Sequence, residues 1–242
     1  MAIYAIGDLH LPGHQEKPMN VFGDHWDRHF DVIRENWLSM VSPEDVVLIP
    51  GDISWAMQLE EARDDLMQIA ALPGRKLLLR GNHDYWWNSI SKVRALLPEN
   101  MYAIQNDALA LDGVVYCGTR GWNIPGEGQP TDPQDVKIFQ RELLRLEMSL
   151  QQAEKLARGS LPVVVMMHYP PLYKDLLSTP FTEILERYGA RTVVFGHLHG
   201  AGIRVGLEGL VRGIEYHLVS CDALHFSLRR IDESVFFPKD KI

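Results

Sequence analysis

An α/β fold is the class this sequence predicts, on three observations. Short apolar runs rich in Val, Ile and Leu recur along the chain and stop abruptly at polar residues; segments with helical periodicity stand between them; and 242 residues at 46% hydrophobic content can bury a large core. The runs are Ile3-Tyr4-Ala5-Ile6 before Gly7-Asp8-Leu9-His10, Val46-Val47-Leu48-Ile49 before Pro50-Gly51-Asp52, and Leu77-Leu78-Leu79-Arg80 before Gly81-Asn82-His83-Asp84. Two more follow, Val163-Val164-Val165-Met166-Met167 before His168, and Thr192-Val193-Val194-Phe195 before Gly196-His197-Leu198-His199. Unbroken apolar runs of this kind suit strands buried on both faces. In an open α/β sheet the ligand site lies beyond the carboxyl ends of the strands, so the polar residues that end these runs are expected to converge.

Between the first two runs, residues 14–24 form a loop long enough to be a lid or binding loop, and its neighbourhood carries His14, His25 and His29, read as capping, stacking or solvent-facing rather than as substrate contacts. Phe30, Ile33, Trp37 and Val41 then fall at helical spacing over residues 26–40, and Ser42-Pro43 breaks that helix. Residues 58–71 place Leu59, Ala62, Leu66 and Ile69 on one face, ended by Pro73-Gly74. The strand-helix-strand units so formed make neighbouring strands parallel. Ile90, Val93 and Leu97 predict a short helix ended by Pro98. Residues 102–105, 109–111 and 114–117 read as short strands, with Asp112-Gly113 a turn between the last two.

Residues 119–130 form a loop containing Arg120 and Trp122. The longest helix follows, capped by Asp132 with Pro133 at its first position, its stripe running through Phe139, Leu143, Leu146, Leu150 and Ala153 to Ala157. That stripe packs on the sheet, or serves as a dimer contact or mobile cover. A further helix opens at Thr179-Pro180 and runs to residue 188. Residues 214–220 and 224–231, on either side of Cys221-Asp222-Ala223, read as an antiparallel hairpin. One domain spanning 1–242 is expected.

The formal charge of −8 argues against bulk binding to nucleic acid or an anionic membrane. Cys117 and Cys221 are the only cysteines and suggest buried thiols rather than a disulfide framework. With no basic N-terminal start and no apolar stretch long enough to span a bilayer, a cytoplasmic protein with no membrane partner is expected, oligomerisation remaining open.

The strand-end residues carry the chemistry. Asn82 offers a neutral carbonyl oxygen, His83 an imidazole that titrates near neutrality, and Asp84 a carboxylate able to ligate, to orient the imidazole or to cap the next helix. Alone, that segment reads equally well as a turn beside a surface histidine. Repetition of carboxylate and imidazole at the other strand ends favours a site for borderline metals such as Mn, Fe, Zn or Ni. Asp52, with two oxygens, can bridge two ions.

Asp8-x-His10, Gly51-Asp52, Gly81-Asn82-His83-Asp84, His168 and Gly196-His197-x-His199, in that order and with those gaps, resemble the calcineurin-like metallophosphoesterase family. The resemblance implies two packed mixed β-sheets flanked by helices and a binuclear centre at the strand ends. One ion would be held by Asp8, His10, Asp52 and His199, and the other by Asp52, Asn82, His168 and His197. His83 matches the family's non-ligand histidine and is the candidate to protonate the leaving oxygen. A small phosphoester is then the expected substrate, a diester in preference to a monoester because Arg80 and Arg120 are the only arginines near the motifs. Monoester and nucleotide pyrophosphate hydrolysis on the same site, a metal-binding scaffold without catalysis, and a mononuclear zinc hydrolase built on His197-x-His199 are the competing readings. Ile53-Ser54-Trp55 after Asp52 departs from the protein phosphatase branch, and His83 stands where the lipid A precursor pyrophosphatases have arginine. An aromatic wall around the phosphate is expected from Trp55, Trp86, Trp87, Trp122 and Tyr169, with Trp55 and Trp87 equally readable as core.

Overall fold

The computed structural model describes residues 1–15, 17, 19–125 and 132–236. Its first half comprises β1 (Ile3–Ala5), α1 (His29–Met40), β2 (Val46–Ile49), α2 (Leu59–Ala70), β3 (Arg75–Leu79), α3 (Ile90–Leu96) and β4 (Met101–Ile104). The second half comprises β5 (Ala108–Leu111), β6 (Val114–Thr119), α4 (Pro133–Ala157), β7 (Val163–Met167), α5 (Pro180–Arg187), β8 (Thr192–Phe195), β9 (Gly209–Val211), β10 (Ile214–Leu218), β11 (Arg229–Arg230) and α6 (Asp232–Phe236). Two sheets result, in the orders β11-β1-β2-β3-β4 and β5-β6-β7-β8-β10-β9. Each has a parallel centre; β11, β5 and β9 are the antiparallel strands at the edges.

The strands read as unbroken apolar runs because each sheet is covered on both faces. Ile3, Ala5, Val46, Leu48, Leu77 and Leu79 of the first sheet meet Val114, Tyr116, Val164, Met166 and Val194 of the second in one shared core. The alternate residues Tyr4, Val47, Ile49 and Leu78 pack under Ile33, Trp37, Leu66 and Ile69 of α1 and α2. Val115, Cys117, Val165, Met167 and Phe195 pack under Phe139, Leu146 and Leu150 of α4 and Phe181 of α5. Burying a Leu or Val side chain contributes roughly 1.5–3 kcal/mol, which is why apolar residues dominate both faces. The stripe on α4 therefore covers the second sheet, as the first of the sequence alternatives has it. Its start follows the predicted capping, with the Asp132 carboxylate accepting from the Gln134 N–H and Pro133 at the first position.

One expectation is overturned. The hairpin partner of β10 is β9, turned through Arg212-Gly213, and not residues 224–231. After β10 the chain leaves the second sheet through the turns at residues 221–226 and enters the first as β11, antiparallel to β1. The reason lies at Gly7, whose N–H donates to Val219 O at 2.6 Å and whose carbonyl accepts from Cys221 N–H at 3.1 Å. That exchange draws the segment after β10 onto the end of β1, ties the two sheets together at the end where the ligand-type residues emerge, and leaves no hairpin register for residues 224–231.

Candidate metal centre

Backbone strain marks the strand ends before any side chain is considered. Asp8 (φ 59°), His10 (φ 46°), Asp52 (φ 51°) and His197 (φ 72°) all adopt the left-handed region, which disfavours residues with a Cβ by about 1–2 kcal/mol each. Cross-loop bonds hold them there: Asp8 N–H donates to Gly51 O at 2.9 Å, His10 N–H to Asp52 O at 3.0 Å and Gly196 N–H to His168 O at 3.1 Å. Two glycines make room for the carboxylates. A Cβ on Gly81 would lie 2.1 Å from Asp52 Oδ1, and one on Gly196 would lie 2.4 Å from Asp8 Oδ2.

All the sequence-predicted metal residues come together. Asp8 Oδ1 lies 3.4 Å from His199 Nε2, and His10 Nε2 lies 3.3 Å from His199 Nε2 and 3.8 Å from Asp52 Oδ2. Asn82 Oδ1 lies 2.6 Å from His168 Nε2 and 2.9 Å from His197 Nδ1, and His168 Nε2 lies 3.5 Å from Asp52 Oδ1. Asp52 thus turns one oxygen to each half of the cluster. Asp8, His10 and His199 offer ligand atoms within 4.8 Å of one another, and so do Asp8, Asp52 and His168.

The outer contacts fit a cation. The Pro50 carbonyl can only accept, so His168 Nδ1, 3.0 Å away, carries the proton and Nε2 presents its lone pair inward. The Asp222 carboxylate, 2.9 Å from His199 Nδ1, orients that ring in the same way and also accepts from Gly200 N–H. Facing lone pairs on His10 and His199 at 3.3 Å are unfavourable unless a proton or an ion stands between them. The electrostatics agree. Burial, with the neighbouring carboxylates Asp8 and Asp84, pushes Asp52 well above the usual carboxylate range. Burial acts the same way on Asp8, but His199, His168 and His10 outweigh it and hold Asp8 low. Burial lowers His10, His168 and His83, and takes His197 down to about 3. Burial also opposes the charge on His199, yet Asp8 and Asp222 raise it to about 10. Removing Asp222 should loosen the ring: Asp222→Asn is expected to weaken metal affinity by about 10–100-fold in a chelator competition, with the far-UV spectrum unchanged.

His83 sits beside the cluster rather than in it. Its backbone N–H donates to Asp52 Oδ1 at 2.8 Å, and its ring packs against Trp55 with centroids 4.5 Å apart. Its Nδ1 is buried and has no partner among the described residues. Asp84 does none of the three things read from its type. Its carboxylate is buried and accepts from the backbone N–H of Gly81, Asp52, Ile53 and Ser54 and from Trp86 Nε1. It is a clamp holding the second and third loops together, and the next helix begins after Ser89, whose side chain makes no cap bond.

The expected aromatic wall is only partly there. Trp55 stacks on His10 with centroids 4.9 Å apart, and Tyr169 packs on His197 at 4.1 Å with Trp122 behind it at 5.2 Å. Trp86 and Trp87 are wholly buried in the core. Trp26, Met19 and Phe22, unmarked by the sequence, line a cavity with His10, His83 and His199. Met19 and Phe22 of the 14–24 segment, and Trp26 just beyond it, therefore stand over the site, with Lys17 Nζ 4.4 Å from the Trp55 ring. Of its neighbouring histidines, His29 is buried against the Leu9 and Trp26 carbonyls and His14 pairs with Asp64 at the surface. Asp222 could have been noticed, since a carboxylate also follows the run ending in β10 by a few residues. The 119–130 loop is described only through residue 125.

No helix among the described residues is long and apolar enough to cross a membrane. The structure is similar to that of phosphopantetheinyl hydrolase (PptH) from Mycobacterium tuberculosis, with a TM-score of 0.56 and 17% identity over 95% of each chain. It is also similar to AQ665 from Aquifex aeolicus, a protein of unknown function, with a TM-score of 0.51 and 18% identity over 96% of each chain. At such identities the likeness is one of fold. No curated protein matches the sequence. The family model for calcineurin-like phosphoesterases matches residues 1–201, a span that holds every ligand-type residue of the cluster, and the chain belongs to that family.

Proposed function

We infer that this chain is a two-metal phosphohydrolase that prefers phosphodiesters, with one ion held by Asp8, His10, Asp52 and His199 and the other by Asp52, Asn82, His168 and His197. The observation that carries the diester preference is the cavity beside the cluster, about 430 Å³ in volume, where Met19, Phe22, Trp26 and Trp55 stand with His10, His83 and His199 and neither Arg80 nor Arg120 takes part. A monoester brings a dianion whose transition state calls for arginine or lysine clamps besides the metals. A diester brings one charge less and a second ester group that needs a seat. Apolar and aromatic walls provide that seat, and Lys17 is the cation found beside Trp55.

When bound, ions of the Mn, Fe, Zn or Ni type supply Lewis-acid charge at the phosphoryl group and a water acidified enough to attack at neutral pH. The chain supplies the rest. Asp52 and Asn82 fix the spacing of the two halves, Asp222 and the Pro50 carbonyl set the ring orientations of His199 and His168, and His83 stands beside them to protonate the leaving oxygen. The Trp55 ring against His83 limits the positions that imidazole can take and screens it from water.

The decisive comparison is kcat/KM on bis-p-nitrophenyl phosphate against p-nitrophenyl phosphate with the same metal and pH. A diester preference of at least about tenfold, equivalent to 1.4 kcal/mol, is expected. Trp55→Leu should raise KM for the diester more than for the monoester. A monoester preference that Arg120→Ala abolishes would show that the arginine reaches the phosphate and would overturn the charge argument.

A further inference from the structure

A second cavity of about 360 Å³, apart from the metal cluster, is lined by Arg80, Arg120, Arg141 and Arg145 with Glu142, Gln105, Asn106 and Asn88. Among the described residues, four guanidinium groups thus face one carboxylate, on a chain whose formal charge is −8. That carboxylate is already committed. Glu142 Oε1 takes Arg145 Nη1 at 2.6 Å, with Arg120 Nη2 at 3.9 Å, while Oε2 takes the Thr119 hydroxyl at 2.6 Å. Arg80 Nε is buried without a hydrogen-bond partner among the described residues. Arg141 forms no ion pair with any described residue. Asp84 lies close enough to act on Arg80 electrostatically, but its oxygens are filled by N–H donors.

Like charges held this close repel unless an anion joins them. Positions in the fold are equally telling. Arg80 directly follows β3, two residues before Asn82, and the Arg120 carbonyl after β6 accepts from the N–H groups of His168 and Tyr169. Arg141 and Arg145 project from one face of α4, a helical turn apart. The cleft therefore opens at the carboxyl ends of β3, β4 and β6, of which β3 also leads into the metal cluster, with Tyr169 and Trp122 linking Arg120 to His197. Planar forks with spare N–H donors are the side chains best matched to phosphate oxygens.

We propose that this arginine cleft is a phosphate-binding site distinct from the metal centre, taking a phosphate group borne either by the substrate, at a position away from the scissile ester, or by a separate ligand. The proposal stands without the diester reading, since the cleft binds phosphate whether or not the centre prefers diesters.

The test uses the full chain stripped of metal by chelation, so that phosphate has one place to go. Titration with inorganic phosphate and with pyrophosphate, followed by calorimetry, should show one saturable site that weakens as salt is raised. The Kd should rise at least tenfold in Arg141→Gln combined with Arg80→Gln. Arg141→Gln alone, at an exposed position, keeps the test valid should the double variant fold poorly, and should also weaken binding. Asp52→Asn should leave phosphate binding by the metal-free chain unaltered. Absence of binding to the metal-free chain, or binding indifferent to both arginine changes, would overturn the proposal. Steady-state kinetics of the metal-loaded protein then separates the two sources. If the phosphate belongs to the substrate, KM for a diester bearing a second phosphate rises at least tenfold more in Arg141→Gln than KM for bis-p-nitrophenyl phosphate. If it belongs to a separate ligand, the two KM values move together while phosphate affinity still falls.

Discussion

Asp52→Asn is expected to lower kcat on bis-p-nitrophenyl phosphate by at least ~10³-fold, about 4 kcal/mol of transition-state stabilisation. The size follows from its place in the cluster. Asp52 Oδ2 points to His10 and Oδ1 to His168, so this one carboxylate serves both halves. An amide in its place keeps one carbonyl acceptor and turns an NH2 toward the other half, where it repels a cation. Metal content under saturating Mn or Fe should fall from two ions per chain to one or none. Full activity in the variant, or at most one ion in the unaltered protein, would defeat the two-metal reading. Melting should change little or improve. Burial and the carboxylates around Asp52 hold its folded pKa well above the ordinary value, so in the metal-free protein its charge is a liability at neutral pH. By the sign of that shift, the liability vanishes as pH falls below the unfolded pKa and is fully present above the folded one.

Asp84→Asn should be the most damaging single change to the fold, at about 3 kcal/mol or more, with melting lowered by roughly 6–12 °C in a protein of this size. Its carboxylate accepts from four backbone N–H groups and the Trp86 indole, all at 2.7–3.2 Å. An amide cannot present two acceptors, so whichever way it turns, an NH2 meets backbone N–H donors in a buried place. Because the clamped groups belong to the Gly51-Asp52 and Gly81-Asn82 loops, metal affinity should fall together with stability, whereas Asp52→Asn should lower metal affinity without lowering stability. Differential scanning calorimetry of the metal-free variants separates the two. An Asp84→Asn protein as stable as the parent would show that water or backbone rearrangement replaces the clamp.

Much of the site was legible because its residues lie on a pattern that local sequence can express. A buried parallel strand must be apolar on both faces, and it ends where a polar residue first appears; the ligands stand at or within a few residues of that point. Glycines beside them were legible for the same reason, and their necessity becomes visible only when Asp52 Oδ1 and Asp8 Oδ2 are found where their Cβ atoms would stand. Long-range partners were not legible. Asp84 offers the same carboxylate as Asp8 or Asp52, and nothing in its neighbours says that N–H groups from a loop thirty residues earlier in the chain will enclose it.

The sequence by itself determined the strands whose ends carry the ligand-type residues, the helices between them, the N-terminal cap of α4 and the identity of the residues that cluster, since hydrophobic period, turn chemistry and ligand type are all local properties. Tertiary structure alone decided which strand β10 pairs with, because Gly7 captures the backbone at residues 219–221. It alone brought Asp222 to His199, placed Trp26 and Met19 over the cluster while sending Trp86 and Trp87 into the core, and set arginines from just after β3 and β6 and from α4 around one cleft. Each of those outcomes depends on contacts between elements far apart in the chain, where packing of whole sheets and helices, rather than any preference of the residue itself, fixes what a side chain meets.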